Sequence, residues 1–120
     1  MESQVVHPNP EDEFVTDERC AILECWNALG DSDVSIARAR VAPGTTTQLH
    51  SLDVDERYLV IEGKGIARIG RLTAEGVGPG DVVVIPAGVP QQITNAGDND
   101  LVFYCVCSPR FSPDAYRSLE

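Results

Sequence analysis

Two side chains near the middle of the sequence carry most of its chemistry. His50 is one of only two histidines, and Glu56 follows it closely. An imidazole and a carboxylate brought together can move protons to and from a substrate, or offer lone pairs to a cation. Tyr58 shares the strand parity of Glu56, and Gln48 that of His50, so regular strands present each pair on one face. Gln48 then reads either as an interior amide or as a surface residue. Tyr58 reads either as a cavity phenol or as a core residue with a bonded hydroxyl. The other histidine, His7, lies in a polar N-terminal stretch and reads as solvated.

The four cysteines, Cys20, Cys25, Cys105 and Cys107, contain no C-x-x-C pair, so zinc-ribbon and thioredoxin readings fail. Cys105 and Cys107 stand two apart on an expected strand, about 6.5–7 Å from each other and at the limit of disulfide reach. The plain reading is four small buried hydrophobes, with Cys105 as a soft extra ligand the sharper alternative. Arg38 and Arg40 share a face and read either as an anion clamp or as a solvated outer face meeting the abundant acids.

The elements that must position these groups are short strands separated by Gly, Pro, Asn and Asp. Strands are expected at Ala21–Trp26, Val34–Val41, Thr45–Ser51, Arg57–Glu62, Ile66–Ile69, Asp81–Ile85, Gln91–Thr94 and Leu101–Cys107. The last has Phe103, Cys105 and Cys107 on one face and Val102, Tyr104 and Val106 on the other. A strand apolar on both faces is covered on both. No long stretch has helical period, so the fold class is all-β, a two-sheet jelly roll with a lumen. Residues 1–19 read as a polar arm, 20–111 as the barrel, and 112–120 as a short C-terminal turn or helix.

Residues 44–63, GTTTQLHSLDVDERYLVIEG, and 80–95, GDVVVIPAGVPQQITN, resemble the two motifs of the cupin superfamily, G-x5-H-x-H-x3-4-E-x6-G and G-x5-P-x-G-x2-H-x3-N. Gly44, His50, Glu56, Gly63, Gly80, Pro86, Gly88 and Asn95 match in register. Leu52 and Gln91 stand where the family has histidines. The segment between the motifs is short, as in small single-domain bacterial cupins. The resemblance implies a double-stranded β-helix, the jelly-roll cupin barrel. The matched glycines and Pro86 shape strand reversals and say nothing of activity.

The resemblance also implies that His50 and Glu56 point into the lumen from adjacent strands, with Gln91 on the opposite wall. His50, Glu56 and Gln91 would then hold a divalent ion (Fe, Mn, Zn or Ni) in a reduced site, Gln91 being a weaker donor than imidazole and Leu52 drying one wall. Three functions compete. The first is a metal-dependent enzyme acting on a small molecule. The second is a metal-free acid–base enzyme of the isomerase kind using His50 with Glu56 or Tyr58. The third is a module that binds a small ligand without turnover, its lumen made apolar by Leu52, Val60 and Ile93.

Nine Lys and Arg against 19 Asp and Glu give a net charge of −10. That balance argues against nucleic acid and anionic membranes as partners, while a locally basic pocket would still admit an anionic substrate. The acidic N-terminus has no apolar h-region, and no apolar run spans a membrane, so a cytoplasmic location is expected. A homodimer is expected from the resemblance and from the doubly apolar strand at Leu101–Cys107.

Overall fold

The computed structural model describes residues 1–120. Its eleven strands are β1 (Phe14–Val15), β2 (Ala21–Trp26), β3 (Ser35–Val41), β4 (His50–Leu52), β5 (Asp55–Glu62), β6 (Gly65–Ile69), β7 (Glu75–Val77), β8 (Val82–Ile85), β9 (Gln91–Asn95), β10 (Leu101–Ser108) and β11 (Tyr116–Ser118). They form two antiparallel sheets, in the orders β1-β2-β3-β10-β5-β8 and β11-β4-β9-β6-β7. The fold is the expected all-β jelly roll. No helix is long and apolar enough to cross a membrane.

Alternation of residue type sets which side chains face inward. Glu56, Tyr58 and Val60 of β5 are buried while the alternating Asp55, Arg57 and Leu59 are exposed. On β9, Gln91, Ile93 and Asn95 are buried. The two inner faces meet in a core that includes Val41, Val60, Ile85, Ile93, Leu101 and Phe103. Such interdigitation is what a period-2 pattern on facing sheets produces.

Two motif residues show their structural role directly. Gly63 turns between β5 and β6 at φ 87°, and a Cβ there would meet Asp100 O at 2.6 Å, so only glycine fits. Asn95 is an internal strut: its Nδ2 donates to Val41 O and Asn99 O, each at 2.8 Å, and its Oδ1 accepts from Gly97 N at 2.9 Å.

The chain ends differ from the sequence reading. Within the stretch read as a polar arm, Phe14–Val15 forms β1 and pairs with β2. The C-terminal segment forms a 3₁₀ turn at Pro113–Ala115 and then a strand, β11, laid against β4. Three short strands escaped the pattern, because two- and three-residue edges carry too little alternation to register. The segment read as a strand from Thr45 becomes one only at His50. Before that, Thr46 makes an isolated bridge to Thr94.

Candidate functional site

A cavity of about 440 Å³ opens at one end of the barrel. Small side chains create it. Along β3 and β10 the register pairs Ser35 with Cys107, Ala37 with Cys105 and Ala39 with Phe103. Toward the other end the same strands pair Val41 with Leu101, and the space is filled. His50, Leu52, Glu56, Tyr58, Cys105 and Cys107 are among the cavity's walls.

The expected site residues do converge, but with a different division of walls. Glu56 and Tyr58 come from β5 in the six-stranded sheet. His50 of β4 and Gln91 of β9 are cross-strand partners in the five-stranded sheet. Gln91 therefore shares a wall with His50 and faces Glu56, whereas the sequence reading set it opposite both.

Gln91 is 0 % exposed and lies behind the cavity lining. Its Nε2 donates to Glu56 Oε1 at 2.8 Å, and its Oε1 accepts from the Tyr58 hydroxyl. The amide is thus a strut between the sheets. The second carboxylate oxygen of Glu56 accepts from Cys107 Sγ at 3.7 Å. Burial pushes the Glu56 carboxyl up to about 7, against the opposing effect of the Gln91 hydrogen bond and with a further upward push from Glu18. Tyr58 is raised well above its ordinary value by burial first and then by the Glu56 charge.

His50 is fixed from two sides. Its Nδ1 lies 2.7 Å from Gln48 O. A carbonyl only accepts, so the proton sits on Nδ1 and Nε2 carries the lone pair. Nε2 has no hydrogen-bond partner within the protein, yet is not sealed from solvent, which leaves it the ring's available acceptor. Tyr116 stacks on the ring with centroids 4.8 Å apart and planes 18° apart. Upstream of His50, Thr47 ties the chain to β9, with Ile93 N donating to Thr47 Oγ1 at 3.0 Å.

The donor set does not fit a resident divalent ion. Of the expected ligands, Gln91 has its oxygen engaged by Tyr58 and its nitrogen by Glu56, which leaves His50 and Glu56 alone. Structural and catalytic metal centres commonly use at least three protein donors. No three His, Cys, Asp or Glu side chains are grouped to hold a metal. With no cation present, the thiols around the cavity are neutral. Burial pushes Cys20 up to about 12 and raises Cys105 and Cys107 as well.

Other residues resolve as follows. Gln48 is an interior amide, lining the cavity and accepting from the Tyr116 hydroxyl. Leu52 lines the cavity, whereas Val60 and Ile93 belong to the packed core and do not. Arg38 and Arg40 bind Glu13, with Arg38 Nη2 at 3.3 Å from its carboxylate, and Arg40 also meets Asp100 at 3.1 Å. They form an acid-paired face, as the plainer reading has it. His7 is exposed.

The sequence reading missed the two straps that complete the cavity mouth. Thr16–Cys20 makes a turn with Arg19 at φ 67°, and it brings Glu18 into the lining. Gln48 N donates to Glu18 O at 2.9 Å. At the other terminus β11 delivers Tyr116. Arg19 and Glu120 join the straps through two hydrogen bonds of 3.0 and 2.7 Å. The one available signal was the pair of aromatic residues, Phe14 and Tyr116, in mostly polar ends.

The geometry agrees with comparisons to known proteins. The family described as the cupin domain matches residues 37–107, more than half of the chain. No curated protein matches the chain in sequence. Among solved structures, oxalate decarboxylase from Bacillus subtilis superposes with a TM-score of 0.79 at 20% identity, covering 98% of this chain and 33% of that one. This chain thus spans about a third of that enzyme. The polyketide cyclase RemF from Streptomyces resistomycificus gives 0.79 at 20% identity, covering 99% and 87% of the two chains. Streptomyces PAC13 with uridine gives 0.78 at 14% identity, covering 98% and 93%. At these identities the likeness speaks for the fold. The family match itself takes in both motifs and most of the strands that wall the cavity, and the chain belongs to the cupin family.

Proposed function

We propose that this cupin binds a small, largely apolar molecule in its lumen and moves a proton on it through Glu56 and His50, without a resident metal. The observation that carries the reading is the commitment of Gln91: its amide spans Glu56 and Tyr58 and has no free end for a cation. The hollow end of the barrel then holds a carboxyl raised by burial to about 7 and an imidazole with a free acceptor nitrogen. A carboxyl near neutrality is matched to accept and return a proton at neutral pH. Tyr58 is a positioning residue in this scheme, since its hydroxyl serves Gln91. The cavity size suits a drug-sized ligand or smaller. That one structural neighbour is a polyketide cyclase and another was solved with uridine supports an organic ligand in such a barrel.

The test has two parts. Elemental analysis after reconstitution with Fe, Mn, Zn and Ni is expected to find no stoichiometric metal. A metal retained by the wild type and lost from both His50→Ala and Glu56→Ala overturns the reading. Solvent deuterium incorporation next to the carbonyl of a panel of small aryl ketones, followed by NMR, reads the proton transfer. Incorporation is expected with wild type and is lost in Glu56→Gln and His50→Phe.

The expected homodimer has a surface to support it. The outer face of the six-stranded sheet exposes Leu59 and Ile61 beside Val82 and Val84, the last two being 57% and 62% exposed. Adjacent apolar residues on an edge strand favour pairing with a second copy. Light scattering is expected to give a dimer for wild type and a monomer for the Val82→Lys, Val84→Lys double variant.

A further inference from the structure

The lumen's charge is uniform, and it bears on what enters. Asp17, Glu18, Glu24 and Glu56 line the cavity, and no lysine or arginine does. The nearby arginines are spent elsewhere. Arg19 turns out to Glu120 and Thr46 O, Arg38 and Arg40 to Glu13, and Arg110 to Asn27. An anion entering this space meets like charge with no compensating cation, where water screens poorly.

The polar atoms left open include acceptors on His50 and Glu18 beside one amide donor, Gln48 Nε2, whose Oε1 alone is bonded. His50 is 6% exposed, and its unpartnered Nε2 offers a lone pair to the cavity. The Glu18 carboxylate accepts from the weak thiol donor Cys20 Sγ at 3.6 Å and lies near the Tyr116 hydroxyl, and no cation pairs with it. Burial is the main cause of the upward shifts at Glu56, Tyr58 and Tyr116, and the Glu18 charge adds a smaller push to each. Aromatic rings stand around these acceptors: Phe14, Tyr58, Phe103, Phe111 and Tyr116 line the same space. Aromatic faces beside a carboxylate attract an ammonium group by charge and by the ring quadrupole together.

We propose that the lumen selects a small apolar or aromatic molecule carrying a protonated amine, with Glu18 as the residue that reads its charge. The proposal rests on the small-molecule reading of this cavity and adds the class of ligand. Glu18 accepts the ammonium at the mouth, His50 Nε2 accepts an N–H deeper in, and the apolar body fills the space left by Ala37, Ala39 and Cys105.

Three near-isosteric probes test it by calorimetry on the full chain: 2-phenylethylamine, 2-phenylethanol and phenylacetate. The amine is expected to bind about tenfold tighter than the alcohol, the size of one charge-assisted hydrogen bond, and the carboxylate not to bind measurably. Glu18→Gln is expected to bring the amine down to the alcohol's affinity and leave the alcohol unchanged, with an unaltered NMR spectrum elsewhere. Phenylacetate binding as tightly as the amine, or an amine-to-alcohol ratio that Glu18→Gln does not move, overturns the proposal while the cavity reading stands. Failure of all three probes to bind overturns both.

Discussion

The two ends of this barrel are built on the same strands and the same alternation, yet one is solid and the other hollow. At the solid end Val41, Val60, Ile85, Ile93 and Leu101 interlock, and the polar Asn95 among them has its amide fully occupied. At the hollow end the inward positions of β3 and β10 are Ser35, Ala37, Cys105 and Cys107, too small to meet across the gap. Glu56 and His50 open onto that gap. Gln91 marks the border, sealed like a core residue and polar like a site residue. The contrast teaches that side-chain volume, set position by position along a strand, divides scaffold from site.

Variants should separate the ends cleanly. Ile93→Ala at the solid end is expected to cost about 3–4 kcal/mol in denaturant unfolding, the usual range for a fully buried truncation, and to leave ligand affinity in the hollow end unchanged. A loss of affinity on the same scale would mean the two ends are coupled.

The next effect is one of pH. Glu56 has an ordinary value of 4.5 and is raised to about 7 in the folded state. Between those values the folded chain holds more protons than the unfolded chain, so stability falls as pH rises through that window. The shift corresponds to a loss on the order of 3 kcal/mol. Glu56→Gln removes the titration, and unfolding measured from pH 5 to 8 should show wild type losing stability relative to this variant as pH rises. The opposite slope would place Glu56 in a cation-paired site.

Gln91→Leu comes third. It leaves the Glu56 carboxyl and the Tyr58 hydroxyl without their buried partner, which costs about 2 kcal/mol, and it drives Glu56 still higher by removing the bond that favours the carboxylate. Smallest is Ala37→Phe, which fills the hollow end and is expected to change stability by no more than about 1 kcal/mol while abolishing ligand binding. Binding that survives it would place the ligand elsewhere.

Much of the barrel was legible in the sequence because its signals are local. Alternation separated the two faces of β5, β9 and β10, the motifs pointed Glu56 and Gln91 inward, and which face of β10 is inward emerges only from the fold. The convergence of His50, Glu56 and Gln91 was legible through the motifs. What Gln91 does there was not, because an amide that bonds a carboxylate and an amide that binds a metal look the same in one dimension. The lumen charge was equally hidden. Glu18 enters the site through a turn held by Gln48 and Arg19, contacts that span the chain and leave no periodic trace. The thiols show the same limit, since Cys105 and Cys107 reveal their use as small wall residues only when Ala37 and Ser35 are seen opposite them.

A lumen carboxyl held by Gln91 with no metal beside it titrates well above the ordinary carboxylate range. The ¹³C NMR titration of the Glu56 carboxyl, assigned by its disappearance in Glu56→Gln, tests this most directly. The expected midpoint is near 7, and one equivalent of Zn or Mn leaves it in place. A midpoint near the ordinary 4.5, or a resonance that one equivalent of metal shifts or broadens away, would contradict it.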